Sequence, residues 1–435
     1  MTTIILGGGI AGLSLAHFLQ DKSIILEKEA QLGGLGRSFQ LNGISYDIGP
    51  HILFSKNKEV LNFHLSLIPT NTIRRSNQIL HRGKFIKYPF ENDLASLSPE
   101  ERNYCLQEFL HNPYEHYPAH NMLQFFLKTF GEGITRLYLQ PYNEKIWKHD
   151  PAFLDTQMVE RIPKPPKEDV IKSARGIPTE GYTHQLYFHY PTKQGFQSLI
   201  NAYVDKIKGK STIINPVSLT KIEKKKNAWS LATNQGTFSA EQLINCLPLH
   251  ELFKYLPPAP EEVQQALQNL KYNSIYIVVI QVKKDAVGDN FSITIADKDI
   301  IFHRLSKLNF LGEKYCLPDN GTSLLAEITY RPGSYLAGLS PEKIKEEVVQ
   351  GLEKLQLIER KDLLAIELRS FQYAYIVYDL DHKKNTAFIL NYLKSIGIRC
   401  CGRFAEFEYM NSDQVVERTQ KLAKELNAAS SRGIS

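Results

Sequence analysis

The chain has 435 residues, about three times the ~150-residue size of a typical domain, so two or three structural units are expected. Apolar residues at 43% and charged residues at 23% exclude a disordered or low-complexity chain, which could not bury enough apolar surface to order itself. A net charge of +6, with Lys224-Lys225-Lys226 the one basic block and readable as a solvated turn, makes nucleic acid an unexpected partner.

Thr3-Ile-Ile-Leu6 reads as a short buried strand, with no secretory signal before it. Gly7, Gly9 and Gly12 follow in G-x-G-x-x-G spacing and open a helix that is apolar at Leu13, Leu15, Ala16, Phe18 and Leu19. A second strand, Ser23-Ile-Ile-Leu26, ends in Glu27, 20 residues beyond Gly7. Each residue has a task in binding a dinucleotide. Gly7 permits the tight turn, Gly9 lets the backbone approach a pyrophosphate, and Gly12 lets helix and strand pack closely. Glu27 accepts from a ribose 2′-OH, and the helix N-terminus faces the anion.

Farther along, Ser98-Pro99 is a helix start, and residues 98–160 read as mostly helical. Pro163 to Pro178 reads as a connecting loop, Gly195 to Lys208 as an amphipathic helix, and 211–246 as short strands with turns. The alternation in 272–330 predicts an antiparallel sheet. Residues 399–404 read as a strand and turn, and Ser412 to Leu426 as a closing helix. No apolar run approaches the ~20 residues needed to span a bilayer. The odd count of five cysteines, with Cys400 and Cys401 adjacent and no C-x-x-C, predicts no disulfide framework or zinc site and suits a reduced, cytoplasmic protein.

Glu27-Lys-Glu-Ala-Gln-Leu-Gly33-Gly34-Leu-Gly36-Arg37 resembles the second glycine motif of glutathione-reductase- and amine-oxidase-type flavoproteins, which implies FAD rather than NAD. Past residue 40 the chain resembles the UDP-galactopyranose mutases, the eukaryotic-type members most. The resemblance rests on Tyr46-Asp-Ile-Gly49-Pro50-His51, Tyr88-Pro-Phe90, Thr129-Phe-Gly-Glu-Gly-Ile134, Pro141-Tyr-Asn143-Glu-Lys-Ile-Trp147, Glu160-Arg161, and Gly402-Arg403-Phe404 with Tyr409, Asn411 and Asp413. The implied fold class is α/β: a Rossmann-type FAD-binding domain with a helical insert and an antiparallel β-sheet substrate domain. The FAD-binding domain would be built from 1–90, 191–250 and 386–435, with the helical insert at 91–190 and the sheet domain at 251–385.

The resemblance implies FAD contacts at Gly7, Gly9, Ile10, Ala11, Gly12, Glu27, Lys28, Gly34, Leu35, Gly49, Pro50, His51, Val217, Gly402 and Arg403. It implies that Arg161, Arg304 and Arg403 hold a nucleotide-sugar diphosphate, as charge-assisted forks suit, with His51 beside the flavin. Arg75, Tyr88, Phe90, Glu91, Asn143, Trp147, Tyr375, Tyr409 and Asn411 are the further substrate candidates. Three pairs stay open: Arg304 or His303 facing inward, Tyr375 or Tyr378 reaching the diphosphate, and base stacking or core packing for Trp147 and Phe90. Glu91 stands where the family continues with Gln, and is expected to place an anion near the uracil. The implied reaction uses reduced FAD, through N5, as nucleophile at the anomeric carbon. UDP leaves and returns once the sugar has reclosed at the other ring size, with no net redox. The alternative is a flavin oxidase of the amine or protoporphyrinogen oxidase kind. With only one glycine fingerprint in full context, NADPH, if it is the reductant, is expected to enter the same site.

Overall fold

The computed structural model describes residues 2–162, 165–181, 186–226 and 228–431, apart from the side chains of Glu160 and Arg161. Thr3–Leu6 is buried at every residue, as a strand covered on both faces must be. It is the central strand of a five-stranded parallel sheet ordered Ile398–Cys400, Gln242–Asn245, Thr3–Leu6, Ser23–Leu26 and Ser211–Ile214. Helices Ile10–Phe18, Gln197–Ile207 and Ser412–Ser431 bury Leu13, Leu15, Leu199, Ile200 and Val416 in one cluster with Ile5, Ile25 and Ile244. Ser14 and Thr419 share a 3.0 Å hydrogen bond where the first and last of these helices touch. Three distant stretches of chain thus make one unit.

The helical insert begins at the expected Ser98-Pro99 start, and a second cap follows at Asn121. Ser98 accepts from the Glu101 N–H ahead of Pro99–Leu110, and Asn121 accepts from the Gln124 N–H ahead of Met122–Ile134. The proline-rich stretch is not all loop: Lys167–Ala174 is helical, with Pro166 at its N-cap. A proline at a helix start gives up no hydrogen bond, so it opens this helix rather than breaking it.

A second sheet has seven strands in the order Leu363–Val377, Lys271–Val282, Thr322–Tyr330, Arg304–Lys307, Ser292–Ile295, Asn77–His81 and Lys84–Lys87. It is antiparallel except where Ser292–Ile295 runs parallel to Asn77–His81. One face packs Val278, Ile280 and Leu324 against Ile344, Val348 and Leu352 of helix Pro341–Lys354. The other sets Ile275, Ile277 and Leu325 against Tyr46, Phe188 and Tyr190. The expected boundary at residue 90 is therefore corrected: residues 77–87 complete the second sheet. Tyr187–Pro191, all but its last residue expected in the helical insert, pairs with Thr70–Arg74. Asn77–His81 and Tyr187–Pro191 take their places through Ser292–Ile295 and Thr70–Arg74, over a hundred residues away, a distance no local pattern encodes.

Candidate active site

The glycine cradle has a shape of its own. Gly7 has φ +103°, and a Cβ on Gly12 would lie 2.0 Å from the Gly7 carbonyl oxygen, so the close packing there admits only glycine. Gly9 differs. It is the N-cap of Ile10–Phe18 and gives no side-chain cap, yet a Cβ there would meet nothing nearer than 3.8 Å. The first-turn N–H groups, Ile10 and Ala11 among them, are left for an anion. The Glu27 carboxylate accepts from Gly8 N–H at 2.7 Å and Glu29 N–H at 2.8 Å, which fixes it and leaves lone pairs for ribose hydroxyls.

The Glu27 carbonyl takes the Val217 N–H at 2.8 Å, while Lys28 is exposed. Gly33 N–H donates to the Gly8 carbonyl at 2.8 Å. A Cβ on Gly34 would lie 3.3 Å from the Gly9 Cα, so the two glycine loops lie against each other, with Leu35 half-buried beside them. At Gly402, φ +114°, a Cβ would come 2.8 Å from that of Ala11, which brings the C-terminal loop onto the same helix start. These residues fit FAD: an uncapped helix end, a fixed acidic acceptor and open space over Gly9.

Beyond the cradle stands a charged and aromatic cluster. Arg304 forks onto Glu327, Nε to Oε1 at 2.5 Å and an Nη to Oε2 at 2.6 Å. Glu327 is 1% exposed and paired across the sheet with Arg304. A Cβ on Gly49 would lie 3.1 Å from a Glu327 oxygen, so the Gly49-Pro50-His51 loop touches this pair. His51 N–H donates to Asp47, whose buried carboxylate also accepts from Ser38, Tyr190 and Phe196 N–H, and thereby pins the loop. Burial lowers the His51 imidazole pKa; Asp47 acts the other way, and Arg403, Glu327 and Arg304 all lie within reach of it.

Arg403 donates to the Ala374 carbonyl at 2.8 Å and lies 4.0 Å over the Tyr409 ring. Its Nε is buried without a partner, and no described carboxylate pairs with it. Tyr375 and Tyr409 lie parallel, 6.2 Å apart, and Trp147 meets both edge-on.

The structure places each member of the open pairs. Tyr375 reaches Glu327 at 3.5 Å, and Arg403 lies over its ring at 5.7 Å. Tyr378 is buried, accepts the Tyr409 N–H at 2.6 Å and packs on His382. Arg304 faces Glu327, while His303 is 1% exposed with its ring toward Tyr375. Asn143 accepts the Trp147 indole N–H at 2.9 Å and donates to the Leu139 carbonyl. Arg75 lies over the Phe54 ring, Tyr88 is half-buried, and Asn411 N–H donates to Gln414 ahead of the last helix. The Arg161 side chain lies outside the described residues. Two further residues went unrecognised in the sequence, Glu327 and Tyr142, the latter half-buried and within electrostatic reach of Arg304 and Glu327. Glu327 had a local signal, a lone carboxylate in the buried run Leu324-Leu-Ala-Glu327-Ile.

Phe90 takes the packing side of its open pair, and Glu91 is a correction. Phe90 has no exposed surface and stacks on Tyr138 at 5.1 Å, so it is core. Glu91 is 2% exposed, in the turn Phe90–Asn92 whose carbonyl takes the Ser173 hydroxyl, and burial pushes its carboxyl up to about 7. It is not a solvated anion. With the folded-state value raised above the ordinary 4.5, its cost is absent at low pH and grows as pH rises from about 4.5 to about 7. Glu91→Gln is therefore expected to raise stability by on the order of 2 kcal/mol at about pH 8 and to leave it unchanged near pH 4.5. Thermal unfolding at both pH values checks this; an equal effect at the two contradicts it.

The fold and cradle define an FAD-binding flavoprotein of mixed α/β architecture. Residues 10–381 match the family described as flavin containing amine oxidoreductase, and the chain belongs to it. Among solved structures it is similar to a reduced UDP-galactopyranose mutase at 22% identity and a TM-score of 0.89, over 98% of this chain and 95% of that one. A putative protoporphyrinogen oxidase from Exiguobacterium sp. 255-15 matches at 18% identity and TM-score 0.77, over 98% of both chains. A putrescine oxidase matches at 14% and 0.67, over 98% of this chain and 100% of that one. The cofactor is FAD. All five cysteines are free. Among the described residues no helix is long and apolar enough to cross a membrane, and no His, Cys, Asp and Glu group could hold a metal.

Proposed function

We propose that the chain is a mutase acting on a nucleotide-diphosphate sugar, of the UDP-galactopyranose type, with no net redox. The observation that carries this is the charge of the site. Glu327 offsets Arg304, and Arg403 remains as a cation with no described carboxylate beside it. Such a site attracts a diphosphate and repels an ammonium. Bound and reduced, FAD supplies a nucleophilic N5 for the anomeric carbon. Arg403 and Arg304 hold the diphosphate as it departs and returns, with Arg161 proposed as a third cation. Glu327 keeps the Arg304 fork in one plane, and Tyr375, Tyr409 and Trp147 exclude water from the sugar. Tyr88, Asn143, Arg75 and Asn411 are the proposed further contacts, and NADPH the proposed reductant, entering the same site.

The parallel faces of Tyr375 and Tyr409 favour a second reading, an oxidase that seats an apolar amine between them. Equilibrium binding to the FAD-loaded protein separates the two. UDP is expected to bind and putrescine not to; the reverse would sink the mutase reading.

A further inference from the structure

A cavity of about 420 Å³ opens between the C-terminal end of helix Gln140–Trp147, the turn at 297–301 and the segment 335–339. It is lined apart from the Arg304 and Arg403 cluster. Ile301, Leu336 and Leu339 give it an apolar wall, and Tyr335 stands 78% exposed beside them.

The charges around it do not cancel. Glu144 pairs with Lys298 at 3.0 Å, Asp299 with Lys354 at 3.3 Å, and Glu347 with Lys343 at 2.8 Å. Asp297 takes the Asp299 N–H. Two cations remain. Lys145 is buried and donates only to the carbonyls of Ile295 and Asp297, at 3.0 and 2.7 Å. Lys148 sits half-buried on the left-handed corner after Trp147, φ +51°, and makes no hydrogen bond or ion pair among the described residues. Behind them both ring nitrogens of buried His303 lack a partner, as does Nε of Arg331, whose Nη donates to the Trp147 carbonyl. His149, on the same corner, lies near Arg331, Lys271, Asp379 and Asp150. The Lys148 ammonium and Nε of Arg331 are thus donors without an acceptor among the described residues, and buried donors left unpaired are costly.

We propose that this cavity binds a small organic anion, its carboxylate or phosphate held by Lys145 and Lys148 and its apolar body by Ile301, Leu336 and Leu339. Burial holds Lys145 down to about 7 and Lys148 to about 8. An anion restores both, so binding takes up protons, and affinity falls as pH rises from about 7 to about 9.

The test is calorimetric titration of the FAD-loaded protein with hexanoate and, separately, with inorganic phosphate, in buffers of different ionisation enthalpy. Hexanoate is expected to saturate one site with proton uptake, and to bind about tenfold more weakly in Lys148→Gln. Lys298→Gln, which removes a charge already paired with Glu144, should change affinity by no more than about twofold. The pH dependence of the parent protein tests the same claim without any substitution. No saturable hexanoate binding, binding indifferent to Lys148 or to pH, or phosphate binding more tightly than hexanoate would each overturn the proposal.

Discussion

Arg403→Ala is expected to nearly abolish UDP binding by the FAD-loaded protein. Its guanidinium is positioned before any ligand arrives, by the Ala374 carbonyl at 2.8 Å and the Tyr409 ring at 4.0 Å. Little ordering remains to be done when a diphosphate binds, so most of the charge-assisted bonding appears as affinity. Removing such a contact costs on the order of 2–5 kcal/mol, a loss of roughly thirtyfold or more. Arg304→Ala acts differently, because it strands Glu327 as a buried carboxylate without its counter-charge, and is expected to lower thermal stability as well as affinity. Isothermal titration with UDP and thermal unfolding separate the two effects. An Arg403→Ala protein that binds UDP like the parent contradicts the assignment of that guanidinium to the diphosphate.

The second large effect is at Gly12. A Cβ there would come 2.0 Å from the Gly7 carbonyl oxygen, a backbone atom that cannot swing aside. Gly12→Ala must separate the first helix from the central strand, and is expected to cost on the order of 3 kcal/mol and to leave the chain without flavin. Gly9→Ala makes a sharp contrast. Its Cβ meets nothing nearer than 3.8 Å, so the FAD-free protein should keep its stability to within about 1 kcal/mol while losing flavin affinity. Flavin absorbance per chain and melting of the FAD-stripped proteins are the measurements. Full flavin content in Gly12→Ala, or a large loss of stability in FAD-free Gly9→Ala, would contradict this account of the cradle.

That cradle was legible because everything it needs lies within 27 residues: strand, glycine turn, helix, strand and acid. The helix start at Ser98-Pro99 was legible for the same reason. Glu327 was not read as a site residue, since its meaning depends on the cross-strand register that sets it opposite Arg304. Glu91 misled, and Phe90 stayed open, because a motif position says which residues are adjacent, not which way a short turn rolls them. Here the turn puts Phe90 on Tyr138 and buries Glu91. Tyr375 and Tyr378 share one strand-like run and could be separated only by what packs on each.

The mutase reading stands or falls on one measurement: anaerobic incubation of the FAD-loaded protein with UDP-galactopyranose, once with the flavin reduced by dithionite and once oxidised, followed by product analysis. The reading predicts that the reduced protein interconverts the pyranose and furanose forms while the oxidised protein does not, and that no sugar is oxidised in either. Absence of ring-size interconversion in the reduced protein, together with substrate-dependent oxygen consumption by the oxidised protein when an amine is supplied in air, would contradict it.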